Sequence, residues 1–286
     1  MPYYVRLKPG QRVRLADHDP DADGGLDKQA GRQALAPLLE ELAELQQELY
    51  AAGRNSVLVV LQGMDTSGKD GTIRNVFAGV NPQGCQVTSF KVPSEEELAH
   101  DFLWRVHRSA PAKSMIGVFN RSHYEDVLVV RVHGLVPARV WRARYEQIND
   151  FERILAANGT IVCKFFLHIS QGEQEQRLLA REQDVAKAYK LAPGDWRERE
   201  RWDDYVAAYQ DALRRCGTEA APWHLIPANR KWYRNLAVAE ALVEVLRGHR
   251  KQWRRELERM SRERLAELAA VKQQAAAEAA PASVPG

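Results

Sequence analysis

The stretch Gly63-Met64-Asp65-Thr66-Ser67-Gly68-Lys69-Asp70-Gly71-Thr72 lies between the apolar run Val57–Leu61 and Ile73-Arg74-Asn75-Val76-Phe77, which reads as the opening of a helix. Strand, glycine loop, lysine, helix is the order that a phosphate-binding P-loop requires, and it constrains the fold more than any other feature of the chain. Glycines let successive backbone N–H groups converge on an anion, the helix start adds partial positive charge, and Lys69 adds a full one. Gly63, Met64, Thr66, Ser67, Gly68, Asp70, Gly71 and Thr72 are therefore the candidate phosphate- and nucleotide-binding residues around Lys69.

The loop departs from the template in its acids. A Ser or Thr commonly follows the lysine and holds Mg²⁺; here Asp70 stands there, and Asp65 lies within the loop. Two carboxylates beside a phosphate cradle repel the ligand unless metal ions bridge them. Asp65 is thus a metal-holding or acceptor-orienting group, or else a solvated turn residue.

A second constellation follows the short apolar strand expected at Met115–Phe119: Asn120-Arg121-Ser122-His123-Tyr124-Glu125-Asp126. The strand beside a P-loop strand commonly ends in an Asp that serves Mg²⁺. Asn120 can ligate through its amide oxygen but brings no charge, which Glu125 or Asp126 can supply. Magnesium keeps several waters, so one carboxylate plus phosphate oxygens suffices. Arg121 offers a planar bidentate donor to the same phosphates. Taken alone, the cluster reads equally as a helix cap with ordinary surface charge, and His123 as a packed histidine. No His, Cys and carboxylate grouping has zinc spacing.

Elsewhere strand and helix patterns alternate. Leu26–Ala52 has helical spacing and stops at Gly53, and Asn81–Gly84 is a turn before a strand over Cys85–Phe90. Ser94 with Glu97 predicts a capping box for a helix to about His107. Pro137 opens a helix ending near Asn158, Thr160–Ile169 is an apolar strand, and Ser170 with Glu173 caps the next helix. Helix at Tyr205–Leu213, strand at Trp223–Ile226 and helix at Lys231–Leu246 follow, then a separate amphipathic helix over residues 249–275 and a disordered end from Ala279. This alternation implies an α/β fold, a central parallel sheet covered on both faces. Residues 1–25, polar with Asp17, Asp19, Asp21 and Asp23, are expected to form a surface arm. The charged segment 181–201, with Lys187, Lys190 and Arg197, is either a wet helix face or a mobile lid. The expected division is an arm at 1–25, a P-loop domain at 26–250 with that lid, and a C-terminal helix and tail at 251–286.

Composition adds limits. The 286 residues carry 41 basic and 38 acidic side chains, a net charge of +3, so bulk charge does not argue for nucleic acid as a partner. Cys85, Cys163 and Cys216 form no CxxC pair and read as reduced thiols, Cys163 and Cys85 within strands. No apolar run is long enough to span a bilayer, and Met1–Arg6 lacks the apolar core of a signal peptide, so a cytoplasmic protein with no membrane partner is expected.

Several separated motifs stand in one order: Gly63–Gly71, Asn120–Glu125, Leu167-His168-Ile169-Ser170, Trp202-Asp203-Asp204-Tyr205, Ala221–Ala228 and Lys231-Trp232-Tyr233. Over roughly residues 30–250 they resemble the polyphosphate kinase 2 family, and the Asn-Arg-Ser-His-Tyr-Glu form is similar to its class III subgroup. Many members carry Asp where Asn120 stands, which makes Glu125 the stronger carboxylate here. The resemblance implies a P-loop kinase-like three-layer sandwich with a helical lid and extra terminal helices. It implies Mg²⁺, with Mn²⁺ as a substitute, and reversible phosphoryl transfer between inorganic polyphosphate and AMP, ADP, ATP or other purine nucleotides. A homo-oligomer, dimer or tetramer, is expected.

On this reading Asp65, Lys69, Arg121 and Glu125 are catalytic, and Asp65, Asn120 and Glu125 hold metal. Arg74, Arg131, Lys187, Lys190 and Arg197 line a track for the polyanion. Two other readings remain open on sequence alone. One is an ATP-dependent nucleotide kinase on the same fold. The other is a non-catalytic nucleotide- or nucleic-acid-binding module using Arg247, Arg250, Lys251, Arg254 and Arg255, although Glu256, Glu258 and Glu263 interrupt that basic run.

Overall fold

The computed structural model of the protein describes residues 2–183 and 194–279. Its strands are β1 (Val5–Arg6), β2 (Ser56–Gln62), β3 (Cys85–Ser89), β4 (Ile116–Asn120), β5 (Thr160–His168) and β6 (Trp223–Pro227). Helices α1 (Lys28–Ala52), α2 (Lys69–Val76), α3 (Glu95–Leu98), α4 (Trp104–Arg108), α5 (Val129–Val132), α6 (Ala138–Ala157) and α7 (Gln171–Glu182) are followed by helices at Gly194–Glu200, Trp202–Arg215 and Lys231–Ala279.

Every residue of β2 is buried, which requires cover on both faces of the sheet. The sheet order is β1-β6-β5-β2-β4-β3, parallel except for β1, which runs antiparallel to β6. One layer is α1, α2 and the C-terminal helix, against which both α1 and α2 pack. The opposite layer holds α6 and the helix Trp202–Arg215. There Lys164 of β5 meets Glu152 of α6 at 2.6 Å, and the Phe166 ring lies 4.7 Å from that of Tyr209.

Register places the site. Leu61 of β2 pairs with Asn120 of β4, so the glycine loop and the Arg121–Asp126 turn emerge side by side at the carboxyl end of the sheet. From β2 the chain crosses to the edge strand β3, returns to β4 beside β2, and then crosses to β5 and β6 on the other side. An open α/β sheet binds its ligands where the connections change side in this way.

Local chemistry sets most boundaries as expected. Asp27 caps α1 by accepting from the Ala30 N–H, and Gly53 ends it with φ 67°. Ser94 and Glu97 form the reciprocal capping box. The helix they start lasts only to Leu98, however, and does not run to His107. Asp101 accepts from the Leu103 N–H at 2.9 Å, a local turn that competes with helix, and α4 begins afresh at Trp104.

The N-terminal segment is built into the fold instead of lying over it. Strand β1 covers the edge of β6, and Tyr4, Leu7, Val13 and Leu15 are buried. An uncovered β6 would present unpaired N–H and C=O groups. The Tyr3 N–H donates to Glu240 at 2.7 Å and the Tyr4 hydroxyl to Glu244 at 2.6 Å, tying the segment to the C-terminal helix.

The two helices expected at the C-terminal side are one. Lys231–Ala279 is continuous through Gly248, despite the ~1 kcal/mol that a glycine costs a helix interior. Packing offsets it: Trp253 is buried, and Arg247, Arg250 and Arg254 pair with Glu41, Glu44 and Glu48 of α1. Residues 280–286, where disorder was expected, lie outside the described residues. Cys163 and Cys216 are buried free thiols, and Cys85 is half-buried. No helix of the described residues is long and apolar enough to cross a membrane.

Candidate active site

Between β2 and α2 the backbone takes the conformations that a phosphate cradle needs. Gly63 has φ 154° and Gly68 φ 98°, and a Cβ on Gly68 would lie 1.8 Å from Nη1 of Arg234. Thr66 adopts φ 63°, uncommon for a β-branched residue and a mark of stored strain. The Thr66 and Ser67 hydroxyls are buried without a hydrogen-bond partner. Buried hydroxyls left unsatisfied in a strained glycine loop suit an anion that would accept from them.

Lys69 opens α2 and turns back across the loop, donating to the carbonyls of Gly63 at 2.8 Å and Met64 at 3.3 Å. Burial lowers its pKa to about 8, and nearby Arg121 pushes the same way against Asp65, Glu125 and Asp70. Thr72 is buried and donates to the Gly68 carbonyl at 3.2 Å, closing the first helical turn.

The second loop delivers its charges to the same place. Arg121, at φ 62°, donates to Asp65 at 2.7 Å through Nη2 and to Glu125 at 3.4 Å through Nη1. Burial works against the guanidinium charge, but Glu125 and Asp65 outweigh it and raise the pKa. Asn120 donates its amide to Asp70 at 2.6 Å. All four acid and base groups expected to act together (Asp65, Lys69, Arg121 and Glu125) therefore line one cavity of about 2080 Å³ with Thr66, Gly68, Asp70, Gly71, Arg74 and Asn120.

The track residues fare differently. Arg74 lines the cavity. Arg131 does not: its guanidinium is taken up by Asp211 at 2.7 Å, by the Tyr145 hydroxyl at 3.2 Å and by the face of Trp141 at 4.7 Å, which removes it from the expected set. Arg197 is exposed on Gly194–Glu200 and off the cavity wall. Lys187 and Lys190 lie outside the described residues, as does the centre of the expected lid.

Several site residues were not singled out from the sequence. Arg234, almost fully buried, reaches the Ser67 carbonyl at 3.3 Å, and its other contacts are to Asn235. Burial lowers its pKa to about 9, and the neighbouring Arg177 adds to the effect. Arg177 donates to the carbonyls of Thr66 at 2.9 Å and of Ala228 and Asn229 at 2.7 Å. Gln174 donates to the Asp65 carbonyl at 3.2 Å. Gln62, with its amide oxygen toward Ser122, donates to Glu125 at 3.2 Å. The cavity wall divides in character. Lys28, Arg32, Arg230 and Arg234 lie on it, as do the apolar side chains Phe90, Val92, Leu98, Val129 and Leu135.

Asp65, Asp70, Glu125 and the Asn120 amide oxygen are hard donors of the kind Mg²⁺ takes. Among the described residues no three His, Cys, Asp or Glu side chains converge as a ready-made metal cage. The set fits an ion held partly by phosphate oxygens and would not hold one by protein ligands alone.

Comparison with known proteins agrees with this geometry. The family model for polyphosphate kinase 2 matches residues 25–254. An AMP/ADP-polyphosphate phosphotransferase of Meiothermus ruber is 54% identical over 245 residues, covering 85% of this chain and 92% of that protein. An ADP-polyphosphate phosphotransferase of Rhodopseudomonas palustris is 44% identical over 254 residues, covering 84% and 88%. The crystal structure of polyphosphate kinase 2 from Arthrobacter aurescens superposes with a TM-score of 0.82 at 46% identity, covering 85% of this chain and 88% of that one.

Proposed function

The chain belongs to the polyphosphate kinase 2 family, and from that premise we propose that it is a polyphosphate-dependent nucleotide phosphotransferase using inorganic polyphosphate with AMP or ADP. The observation that carries the proposal is the convergence of Lys69, Arg121, Asp65 and Glu125 on one cavity wall beside a strained glycine loop.

In the forward direction the terminal phosphate oxygen of the acceptor nucleotide attacks the end phosphorus of the chain. The bond from that phosphorus to the next bridging oxygen breaks, and its electron pair leaves with a polyphosphate one unit shorter. The transfer is loose and in line, so the protein's part is positioning and charge stabilisation. The loop N–H groups and Lys69 grip the transferring phosphoryl, and the unsatisfied Thr66 and Ser67 hydroxyls offer further donors. Arg121 stabilises the equatorial oxygens, while Asp65 orients the acceptor. Asp65, Glu125 and Asn120 would hold Mg²⁺, or Mn²⁺ in its place. Such an ion would supply Lewis-acid neutralisation of phosphate charge.

We assign the cationic flank, Lys28, Arg32, Arg74 and Arg230, to the polyphosphate chain, and the apolar flank with Phe90 and Leu135 to the acceptor's nucleoside. A homo-oligomer belongs to the same proposal, supported by the exposed Leu265, Leu268 and Val271 on the C-terminal helix. Of the cations that a nucleic-acid module would use, Arg247, Arg250 and Arg254 are paired with α1 carboxylates, which supports the phosphotransferase reading.

The test is donor choice. The purified protein, given ADP, Mg²⁺ and polyphosphate without ATP, is expected to form ATP. If it forms none, yet phosphorylates AMP from ATP, it is an ATP-dependent kinase instead.

A further inference from the structure

Behind the catalytic turn lies a group of charged side chains that the mechanism does not use. Lys164 and Glu152 are, within 1%, fully excluded from solvent. The Lys164 ammonium donates three times: to Glu152 at 2.6 Å, to the Tyr124 hydroxyl at 2.8 Å and to the Cys216 carbonyl at 2.6 Å. The other Glu152 oxygen accepts from the Tyr124 hydroxyl at 2.8 Å and from Nε2 of His123 at 3.2 Å. Nδ1 of His123 is buried and unpartnered, so the proton that completes this contact sits on Nε2. One carboxylate thus grips two successive residues of the 3-10 turn His123–Asp126, and one ammonium secures that carboxylate to the sheet.

Such a pair is an expensive way to stabilise a core. Well-packed apolar residues of the same volume are often as stable or more so, so stability alone gives little reason for the pair. The geometry here is specific. Two positions before His123 stands Arg121, held at φ 62° although it is not glycine; immediately after Tyr124 stands Glu125. A non-glycine residue persists in that region only where its surroundings over-determine it. On the upstream side β4 anchors the turn, with the Arg121 N–H donating to the Leu61 carbonyl at 3.2 Å. On the downstream side the anchor is Glu152.

We propose that Lys164 and Glu152 are positioning residues for phosphoryl transfer. Through His123 and Tyr124 they fix the turn that presents Arg121 and Glu125 to the reacting phosphates, without touching the substrate themselves. The Cys216 carbonyl brings the end of the helix Trp202–Arg215 into the same network. This inference rests on the function proposed above.

The test uses the full-length protein with Glu152→Leu and Lys164→Met together, which removes both charges and keeps apolar bulk. The folded double variant is expected to lose about 10²-fold in kcat, the scale of a misplacement near 1 Å, with KM for polyphosphate within about twofold. In protein labelled with ¹⁵N-arginine, the Arg121 Nε–H signal, assigned by its absence in Arg121→Lys, is expected to be sharp in the parent and broadened in the variant. A folded double variant with parental kcat and a sharp Arg121 signal overturns the proposal. Should the double variant fail to fold, Tyr124→Phe decides: it removes the hydroxyl shared by Lys164 and Glu152 without stranding a charge on a new partner. A several-fold fall in kcat at unchanged KM supports the proposal, and parental kcat with a sharp signal refutes it. The arginine signal needs no turnover, so a parent protein inactive toward polyphosphate would sink the functional reading while leaving this test intact.

Discussion

Arg121 donates to Asp65 at 2.7 Å from one terminal nitrogen while its other faces Glu125 at 3.4 Å. One guanidinium therefore neutralises two carboxylates that come from different loops. On the proposed function both acids would hold Mg²⁺, and both would repel phosphate; the arginine offsets that repulsion. Arg121→Ala is expected to lower kcat by about 10³-fold or more, in the range of transition-state arginines. Arg121→Lys should recover little, since an ammonium cannot span both acids. Steady-state kinetics on the two variants checks this.

Lys69→Ala and Asp65→Asn are each expected to cut turnover by orders of magnitude while thermal unfolding shifts by only a few degrees. The reason is that Lys69 bonds only backbone carbonyls and Asp65 is part-exposed. An Asp65→Asn variant with near-parental rate would remove that residue from the chemistry.

The lowered Lys69 pKa gives a signed pH dependence. Its value of about 8 lies below the ordinary lysine value near 10.4. Below pH 8 the ammonium is already charged and phosphate binds without proton uptake. Above it, binding requires a proton, so affinity for polyphosphate should weaken by up to about tenfold per pH unit. Stability moves the other way. Between about pH 8 and 10.4 the unfolded chain holds more protons at this residue than the folded one, and the Lys69 contribution to stability rises with pH. Calorimetric titration and chemical denaturation of the parent and Lys69→Met across that window test both signs.

Lys28, Arg32, Arg74 and Arg230 line the cavity in a chain whose net charge is only +3. Turnover with polyphosphate should fall steeply as ionic strength rises from about 0.01 to 0.15 M, where the screening length shrinks from about 30 to 8 Å. Arg32→Gln with Arg230→Gln should flatten that dependence. A rate flat in salt for the parent would dismiss the track.

Gly68→Ala should be severe despite its small size. The new methyl falls on the Arg234 guanidinium, and the residue must keep φ near 98°. A loss of ~1–3 kcal/mol in stability and of measurable phosphate binding is expected, read by denaturant unfolding and calorimetry.

How much of this was legible in the sequence follows from the range of each interaction. The glycine loop, the Ser94–Glu97 box and the stop at Gly53 are written within a few residues, and they stand where expected. Asp65 and Arg121, 56 positions apart, could be assigned to one phosphate site because each follows an apolar run expected to be a neighbouring strand; the ion pair between them was not visible in the sequence. Arg234 meets Ser67 across 167 residues and Arg177 meets Thr66 across 111, and neither helix carries a local sign of that approach. Arg177 with Glu173 looks like an ordinary exposed i,i+4 pair, yet the arginine is buried. Arg131 misled for the converse reason. It follows the catalytic turn closely in sequence, but the short helix α5 carries it to Asp211 and away from the cavity. The helix expected to end near Leu246 continues because α1 grips Arg247, Arg250 and Arg254, contacts about 200 residues away that the local pattern does not show.

The stitching of Tyr3 and Tyr4 to Glu240 and Glu244 joins the beginning of the chain to a helix near its far end. Fraying at that corner must undo β1, its two carboxylate anchors and the top of a long helix together. The opposite border of the sheet has no such clasp: β3 carries the half-exposed Val87 along an unpaired flank. Among the described residues, protease nicking and amide deuteration should therefore reach residues 85–115 before the corner where Tyr3 and Tyr4 meet Glu240 and Glu244.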